Sequence, residues 1–253
     1  MKLLVAILTC HKLDYYVNPL TVDYNNVQKW RNLDVDARRA SIRDTWVKEL
    51  DIPGVDYKFF FGNSTRQPVH RRNGAKVEPL FTRAPETDEI FLEVPDYYTA
   101  NSLKMKAICR YALSNNYDFL LRVDDDTFVY PDRLIIDGEP SWAFADYSGA
   151  PSGEIIHGSC MFLSPHAMRM ICGASPKGYA DDVWIGEVMQ RNQVQMNVLK
   201  DVYAKSGDLY KVDPMLVSGK GLAALHSVQP AAMKVFYERR FGDAREVESS
   251  QGN

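Results

Sequence analysis

Three consecutive carboxylates, Asp124-Asp125-Asp126, follow a run over 119–123 that is apolar except for Arg122. Adjacent like charges repel, and removing them from water is costly unless something cationic compensates. A hard divalent cation held by oxygen ligands is the natural compensation. Since ligands bind at the carboxyl ends of strands in open α/β sheets, this stretch predicts a metal-assisted site at the end of a buried strand.

The residues alone leave several readings of the acidic triplet open. An acidic turn that caps the next segment is one, although a single Asp is enough for a cap. A calcium loop is disfavoured because Phe128 would stand at the fifth ligand position counted from Asp124. A divalent ion that bridges a diphosphate remains, and Asp126 is then the better direct ligand because it lies furthest past the strand end.

The rest of the chain alternates strand and helix patterns. Strands are predicted over 3–9, 57–61, 90–94, 118–123, 159–163, 194–202 and 222–226. Helical segments are predicted over 38–50, 102–114, 131–136, 165–172, 181–190 and 231–241. Residues 12–36 read as an ordered insertion loop and 63–88 as a loop region. Because the strands alternate with helices, mostly without hairpin signals, we expect a parallel-rich α/β sheet.

Size and composition narrow the class of protein. The 253 residues fit one α/β domain or two small lobes, and a net charge of −3 provides no global basic field for nucleic acid. The four cysteines lack zinc-type spacing, which favours reduced buried thiols over a disulfide framework. The longest apolar run near the N-terminus, over 3–10, is too short for a transmembrane helix. No Gly-rich turn follows the first strand, so the dinucleotide fingerprint is absent.

Further candidate groups lie downstream of the triplet. Asp181 and Asp182 open a predicted helix, where acidic side chains complement the dipole, and this explains Asp181 well. Asp182 is a candidate general base, whose pKa a bulky neighbour such as Trp184 would raise by burial. A lone histidine near an apolar strand is usually a core residue, but with the triplet nearby metal ligation by His226 becomes the favoured reading. The other histidines have no such support; they are His11, His70, His157 and His166.

Arginines cluster on the first predicted helix. Arg38, Arg39 and Arg43 form either a solvated basic face or a clamp for phosphates that uses the guanidinium fork. Composition alone favours the solvated face.

Taken together, these segments resemble the motifs of the β-1,3-galactosyltransferase superfamily, which includes Fringe-type and core-1-type transferases. Residues 38–46 resemble its RRxxIRxTW motif, and residues 124–129 match DDDxFV. Residues 181–186 resemble EDVxxG, with Asp181 in place of the usual Glu. Weaker matches are Phe59–Gly62, the set Asp96, Tyr98, Ser102 and Lys104, the segment 158–161, and His226-Ser227. The resemblance runs in order from about residue 38 to 230.

The resemblance implies a GT-A fold: a Rossmann-like nucleotide-sugar-binding sheet with helices on both faces, in a single domain over 1–253. Its nucleotide-binding half would be 1–125, its acceptor-side half 126–241 and its polar tail 242–253. Asp124, Asp126 and His226 would bind Mn²⁺ or Mg²⁺, and Asp182 would be the catalytic base. The donor-binding residues would be Thr9, Arg38, Arg43, Lys104, Asp124, Asp125 and Asp181.

The expected activity is inverting transfer of a hexose from a UDP-sugar to a glycan hydroxyl, with a β-linkage. Galactose is the first donor sugar to test, and the acceptor is expected to contact 12–36 and 149–158. Two alternatives stay open: a UDP-sugar or carbohydrate-binding domain without turnover, and a metal-dependent phosphohydrolase. We expect a cytoplasmic protein if the chain is complete, as in a bacterial or viral relative, and a Golgi-lumenal catalytic domain if it is excised.

Overall fold

The computed structural model describes residues 1–11, 34–64, 83–96, 100–134, 145–177, 180–199, 203–205 and 224–242. The strands are β1 (Leu3–Leu8), β2 (Val55–Ser64), β3 (Glu89–Pro95), β4 (Phe119–Asp124), β5 (Phe128–Val129), β6 (Tyr147–Ser152), β7 (Ile155–Leu163), β8 (Met196–Val198), β9 (Tyr203–Lys205) and β10 (Ala224–His226). The α-helices are α1 (Val35–Asp44), α2 (Asn101–Ser114), α3 (Pro131–Leu134), α4 (Pro165–Gly173), α5 (Asp181–Arg191) and α6 (Pro230–Tyr237). A 3-10 turn (Trp46–Glu49) follows α1, and a π-helical turn (Glu238–Gly242) follows α6.

Seven strands form the main sheet in the order β3-β2-β1-β4-β7-β6-β8. Only β7 runs antiparallel to its neighbours β4 and β6; the other pairings are parallel. A second sheet, in the order β5-β10-β9, lies just past the carboxyl end of β4. The predicted parallel-rich α/β sheet is therefore confirmed.

The alternation of side chains along β1 explains why helices cover both faces. Leu3, Val5 and Ile7 join the core that contains α1 and α6, whereas Leu4 and Ala6 join the core that contains α2, α4 and α5. Successive strand residues point to opposite faces, so a continuous apolar strand requires cover on both sides. The sequence prediction of helices on both faces is thus confirmed.

The first predicted helix, 38–50, is shorter and more broken than expected. Helix α1 begins after Asp34, whose side chain accepts a hydrogen bond from the Ala37 N–H at 2.9 Å. It ends at Asp44 because Thr45 leaves helical geometry, with φ −122° and ψ −116°. The Thr45 hydroxyl donates to the Ser41 carbonyl at 2.6 Å, and this hydrogen bond from a side chain to the backbone competes with continuation of the helix.

The hairpin of β6 and β7 corrects the expectation that hairpins would be scarce. Strand β6 was not predicted, and residues 149–158 were expected to be an irregular acceptor loop. They are instead mostly hydrogen-bonded strand, with an exposed turn at Gly153, whose φ is +64°. The Ser152-Gly153 pair was the signal for this turn, because Gly takes a positive φ at no steric cost.

Other expectations are settled in part. All four cysteines are free thiols, as predicted. No helix among the described residues is both long and apolar enough to cross a membrane. Most of the predicted loops over 12–36 and 63–88, and nearly all of the tail over 242–253, lie outside the described residues.

Candidate functional site

The small sheet brings His226 back to the acidic triplet. Strand β4 ends at Asp124, a turn closes with the Thr127 N–H on the Asp124 carbonyl at 3.1 Å, and β5 then pairs with β10. His226 is the last residue of β10. The following Ser227 has φ +63°, and the next N–H, that of Val228, donates to the Asp126 carbonyl at 2.8 Å. Backbone pairing therefore fixes the imidazole beside the triplet.

Asp124, Asp126 and His226 form a cluster that fits a divalent cation, and these three residues are called the metal group below. One ligand atom from each lies within 4.8 Å of the others, and His226 Nδ1 is 3.1 Å from Asp126 Oδ1. Asp126 Oδ1 is buried. Burial opposes protonation of His226, but the hydrogen bond and charge of Asp126 raise the pKa of the imidazole. Two carboxylates and an imidazole are a donor set that suits Mn²⁺ better than Mg²⁺, which prefers oxygen ligands.

Asp125 is turned toward β1 and α1. Its side chain accepts a hydrogen bond from the Thr9 hydroxyl at 2.7 Å and another from Arg38 at 3.0 Å. Burial raises the pKa of Asp125, while the Arg38 guanidinium opposes that rise. Arg38 also reaches Asp126 at 3.5 Å, so one buried guanidinium serves two carboxylates of the triplet. The structure thus brings Thr9, Arg38 and Asp125 together at the triplet.

Lys104 is buried beneath the site. Its ammonium lies 2.7 Å from Asp96 and donates to the Thr9 carbonyl at 2.9 Å. Asp96 also accepts from the Gly62 N–H at 2.8 Å. This ion pair ties together the carboxyl ends of β1 and β2. The predicted donor-binding residue Lys104 therefore holds the strand ends in place.

Arg43 lies elsewhere, and its prediction as a donor-binding residue needs correction. Its guanidinium donates to Asp88 at 2.9 Å and to Glu89 at 3.1 Å. Strand β3 lies three strands from β4, and the register sets Glu89 level with Val123, about 14 Å across the sheet. Arg43 belongs to an ion cluster that stabilises the fold.

We expect Arg43→Ala to lower stability and leave nucleotide binding unchanged. Arg83, Arg43 and the Glu86 N–H together outweigh burial and hold the pKa of Glu89 at about 2, below its ordinary 4.5. A depressed carboxyl pKa contributes stability above the unfolded pKa that is lost as the pH falls through the folded pKa. The variant should lose about 1–3 kcal/mol at pH 7, and its difference from the parent should narrow below pH 4.5. Thermal melts at several pH values measure this. Weaker UDP binding at an unchanged Tm would instead support Arg43 as part of a clamp for phosphates.

Arg122 joins the metal group to helix α5, a role that sequence reasoning missed. This buried side chain lies 2.7 Å from Asp124 and donates to Asp181 at 3.0 and 3.3 Å. Burial raises the pKa of Asp181 to about 6, and Arg122 opposes that rise. Burial alone would raise the pKa of Asp124, but Arg122 and His226 hold that pKa below its ordinary value. The missed signal was a lone cation inside an apolar strand, which requires anionic partners.

Gly158 makes room for that guanidinium, so Gly158→Ala should disturb it. A Cβ at Gly158 would lie 2.8 Å from an Arg122 Nη atom. We expect a loss of about 1–3 kcal/mol of stability, because the added methyl displaces Arg122 from its two carboxylates. Gly173→Ala is the matched control, since a Cβ there meets nothing within 4 Å. Thermal melts of both variants measure the effect, and equal Tm values would contradict this account.

Asp182 lies at the first turn of α5, across from the metal group. Its carboxylate accepts from the Val183 N–H at 2.8 Å and from the Gly158 N–H at 3.3 Å. Trp184 is buried in the core, and its indole N–H donates to the Ser175 carbonyl at 3.0 Å. This anchors the turn that carries Asp182. A half-buried carboxylate held by backbone donors is suited to accept a proton from a substrate hydroxyl.

His157 is a second histidine in the site, although its sequence context offered no support for a role. Its ring centroid lies 5.2 Å from that of His226. Its Nδ1 lies 2.7 Å from the Ser159 hydroxyl and accepts from the Ser159 N–H at 3.2 Å. Sequence reasoning overlooked His157 because strand β6 was not predicted. The part of β7 that extends past the end of β4 was therefore not predicted either.

Residues 37–138 of the chain match the family described as Galactosyltransferase. The matched segment contains most of α1, all of β2–β4 and the acidic triplet, so the sequence resemblance is confirmed over these residues. No curated protein matches the chain.

Three solved structures align with this chain at TM-scores below 0.5. A protein described as a nucleotide-diphospho-sugar transferase from Desulfovibrio desulfuricans aligns over 79% of this chain and 80% of its own, with TM-score 0.46 and 14% identity. A glycosyltransferase involved in glycosylating the major capsid of PBCV-1 aligns over 92% and 98%, with TM-score 0.43 and 13% identity. The catalytic domain of Drosophila β1,4-galactosyltransferase 7 aligns over 80% and 66%, with TM-score 0.38 and 11% identity. At these scores and identities, the likeness says nothing about this chain's substrate.

Proposed function

We propose that this protein is a metal-dependent glycosyltransferase of the GT-A type, which moves a hexose from a UDP-sugar to a glycan hydroxyl with inversion. The observation that carries the proposal is one arrangement at the sheet edge. Asp124, Asp126 and His226 converge within 4.8 Å, and Asp182 is tied to Gly158 on the neighbouring strand. The galactosyltransferase match over 37–138, which includes the triplet, supports it.

The donor side of the reaction is assigned to the triplet and its partners. Asp124, Asp126 and His226 would hold Mn²⁺ or Mg²⁺, which supplies Lewis-acid stabilisation of the charge that grows on a departing diphosphate. Arg38 and Thr9 hold Asp125 and thereby keep the triplet in place. Arg122 keeps the Asp124 carboxylate oriented from below.

The acceptor side is assigned to Asp182. Its carboxylate takes the proton of an acceptor hydroxyl, and the hydroxyl oxygen then forms a bond to the anomeric carbon of the donor sugar. The bond from that carbon to the diphosphate oxygen breaks, and its electron pair leaves with UDP. Attack opposite the leaving group inverts the anomeric centre, so an α-linked donor gives a β-linked product.

The chemistry of the side chains argues against a two-metal phosphohydrolase. Such enzymes hold two ions about 3.5–4 Å apart with a large set of carboxylates and imidazoles. Among the described residues, a second metal-capable group exists at Glu86, Asp88 and Glu89, but Arg43 and Arg83 already neutralise it. The triplet with His226 is then a single-ion site.

A thermal-shift panel of UDP and UDP-sugars, each with Mn²⁺ and with EDTA, tests the donor site. A donor at about 100 times its Kd adds roughly 2.7 kcal/mol, which is several degrees at about 2–4 °C per kcal/mol. We expect the Tm to rise with UDP compounds and the rise to vanish with EDTA. No response to any UDP compound with Mn²⁺ would overturn the proposal. A response to UDP-sugars without transfer to any glycan would favour the non-catalytic binding domain.

A further inference from the structure

The position of His157 follows from the antiparallel pairing of β7 with β4. Arg122 pairs with Met161, so residues preceding Met161 run past the carboxyl end of β4, alongside the triplet. His157 is half-buried there. The charged groups that act on its imidazole come from three elements: Asp124 and Arg122 of β4, Asp182 of α5 and His226 of β10. His157 therefore lies between the metal group and the candidate base.

The ring of His157 is held in one tautomer. A backbone N–H can only donate, so the bond from the Ser159 N–H to Nδ1 requires that Nδ1 carry a lone pair. The Ser159 hydroxyl, 2.7 Å from the same nitrogen, then donates as well. The proton of the neutral ring is consequently on Nε2.

The proposed reaction determines what occupies the space beside such a ring. In an inverting displacement, the leaving diphosphate, the anomeric carbon and the acceptor oxygen lie nearly in line. The metal group marks the diphosphate end of that line, and the Asp182 carboxylate marks the acceptor end. A side chain between the two ends lies alongside the sugar that is transferred. His157 meets this condition: its ring lies 5.2 Å from that of His226, and its chain neighbour Gly158 donates to Asp182.

We propose that His157 contacts the transferred hexose, donating a hydrogen bond from Nε2 to one of its hydroxyl oxygens. This inference rests on the proposed function, since it requires a sugar nucleotide in the site. Nothing in the match over 37–138 reaches His157. The residue would help determine which hexose is accepted, because a site built to hydrogen-bond a hydroxyl rejects a sugar that lacks it.

The test compares UDP with UDP-hexoses in His157→Ala. Calorimetric titrations in Mn²⁺ would use UDP, UDP-galactose, UDP-glucose and UDP-N-acetylglucosamine. We expect UDP to bind the variant as it binds the parent, and the preferred UDP-hexose to bind about 3–10-fold more weakly, the value of one neutral hydrogen bond. His157→Gln, which keeps a planar N–H donor, should recover part of the loss. His166→Ala is the matched control, because His166 is exposed and paired with Asp146.

A double-mutant cycle identifies the hydroxyl. UDP-hexoses deoxygenated at single positions are titrated against the parent and His157→Ala. For the hydroxyl that His157 contacts, the affinity lost on removing the ring and the affinity lost on removing the oxygen should not add. The variant should then bind the deoxy donor and the intact donor equally well. For the other positions, the two losses should multiply.

The outcomes separate the two proposals. A parent protein that binds no UDP compound with Mn²⁺ overturns the proposed function and this inference together. A parent that binds UDP-hexoses, with a His157→Ala variant that binds them equally tightly and shows no coupling to any hydroxyl, overturns the inference alone. Equal loss of UDP and UDP-hexose affinity in the variant also overturns it, because the effect then acts through the metal group.

Discussion

We expect Asp126→Asn to abolish sugar transfer and to remove the Mn²⁺-dependent part of UDP binding. Asp126 lies 3.1 Å from His226 and 3.5 Å from Arg38, and its carboxylate is buried. An amide of the same size keeps one acceptor oxygen but has no charge with which to hold a divalent cation. Since the cation stabilises the leaving diphosphate, the expected loss of rate is about 10²–10⁴-fold.

The measurement pairs a transfer assay with UDP titrations in Mn²⁺ and in EDTA. In the parent, EDTA should weaken UDP binding, whereas in Asp126→Asn the two titrations should coincide. Asp44→Asn is the control, because Asp44 is an exposed carboxylate paired with Lys48 of the following 3-10 turn. Mn²⁺-dependent UDP binding that survived in Asp126→Asn would remove Asp126 from the metal group.

We expect Asp182→Asn also to abolish transfer but to leave UDP binding unchanged. The amide oxygen of Asn can still accept a hydrogen bond from the Val183 N–H or the Gly158 N–H, so the turn should remain intact. What is lost is a carboxylate that accepts the proton of the acceptor hydroxyl. General-base catalysis contributes about 10²–10⁴-fold, and kcat should fall by that amount.

The contrast between the two variants separates metal binding from proton transfer. Both should lack activity, yet only Asp126→Asn should lose the response of UDP binding to EDTA. Steady-state transfer rates and UDP-sugar titrations on the same preparations of Asp182→Asn measure this. Near-full transfer by that variant would show that Asp182 is not the base.

Local patterns in the sequence were enough to predict the carboxyl end of β4. The apolar run over 119–123 could only be a buried strand, and the acidic triplet after it required compensation. His226 was predicted as a metal ligand from the acidic triplet and from the resemblance, and the pairing of β10 with β5 shows how the chain brings it to the triplet. The positions of these residues could be predicted because each depended on residues close together in sequence or on a motif with an ordered spacing.

The failures concern contacts between distant segments. Arg43 follows the same basic pattern as Arg38 along α1, yet Arg38 reaches the triplet and Arg43 reaches Asp88. The direction of each guanidinium depends on where β3 lies relative to α1, which helical periodicity does not encode. His157 was overlooked for the same reason, because its place beside His226 depends on the antiparallel pairing of β7 with β4.

Acceptor-dependent release of UDP tests most directly whether the protein transfers a hexose from a UDP-sugar to a glycan. The protein is incubated with UDP-galactose and Mn²⁺, with and without a panel of glycans, and released UDP and the anomeric configuration of any product are measured. We expect UDP release that requires a glycan and stops with EDTA, together with a β-linked product. UDP release that is independent of every glycan, or a product with retained α configuration, would contradict it.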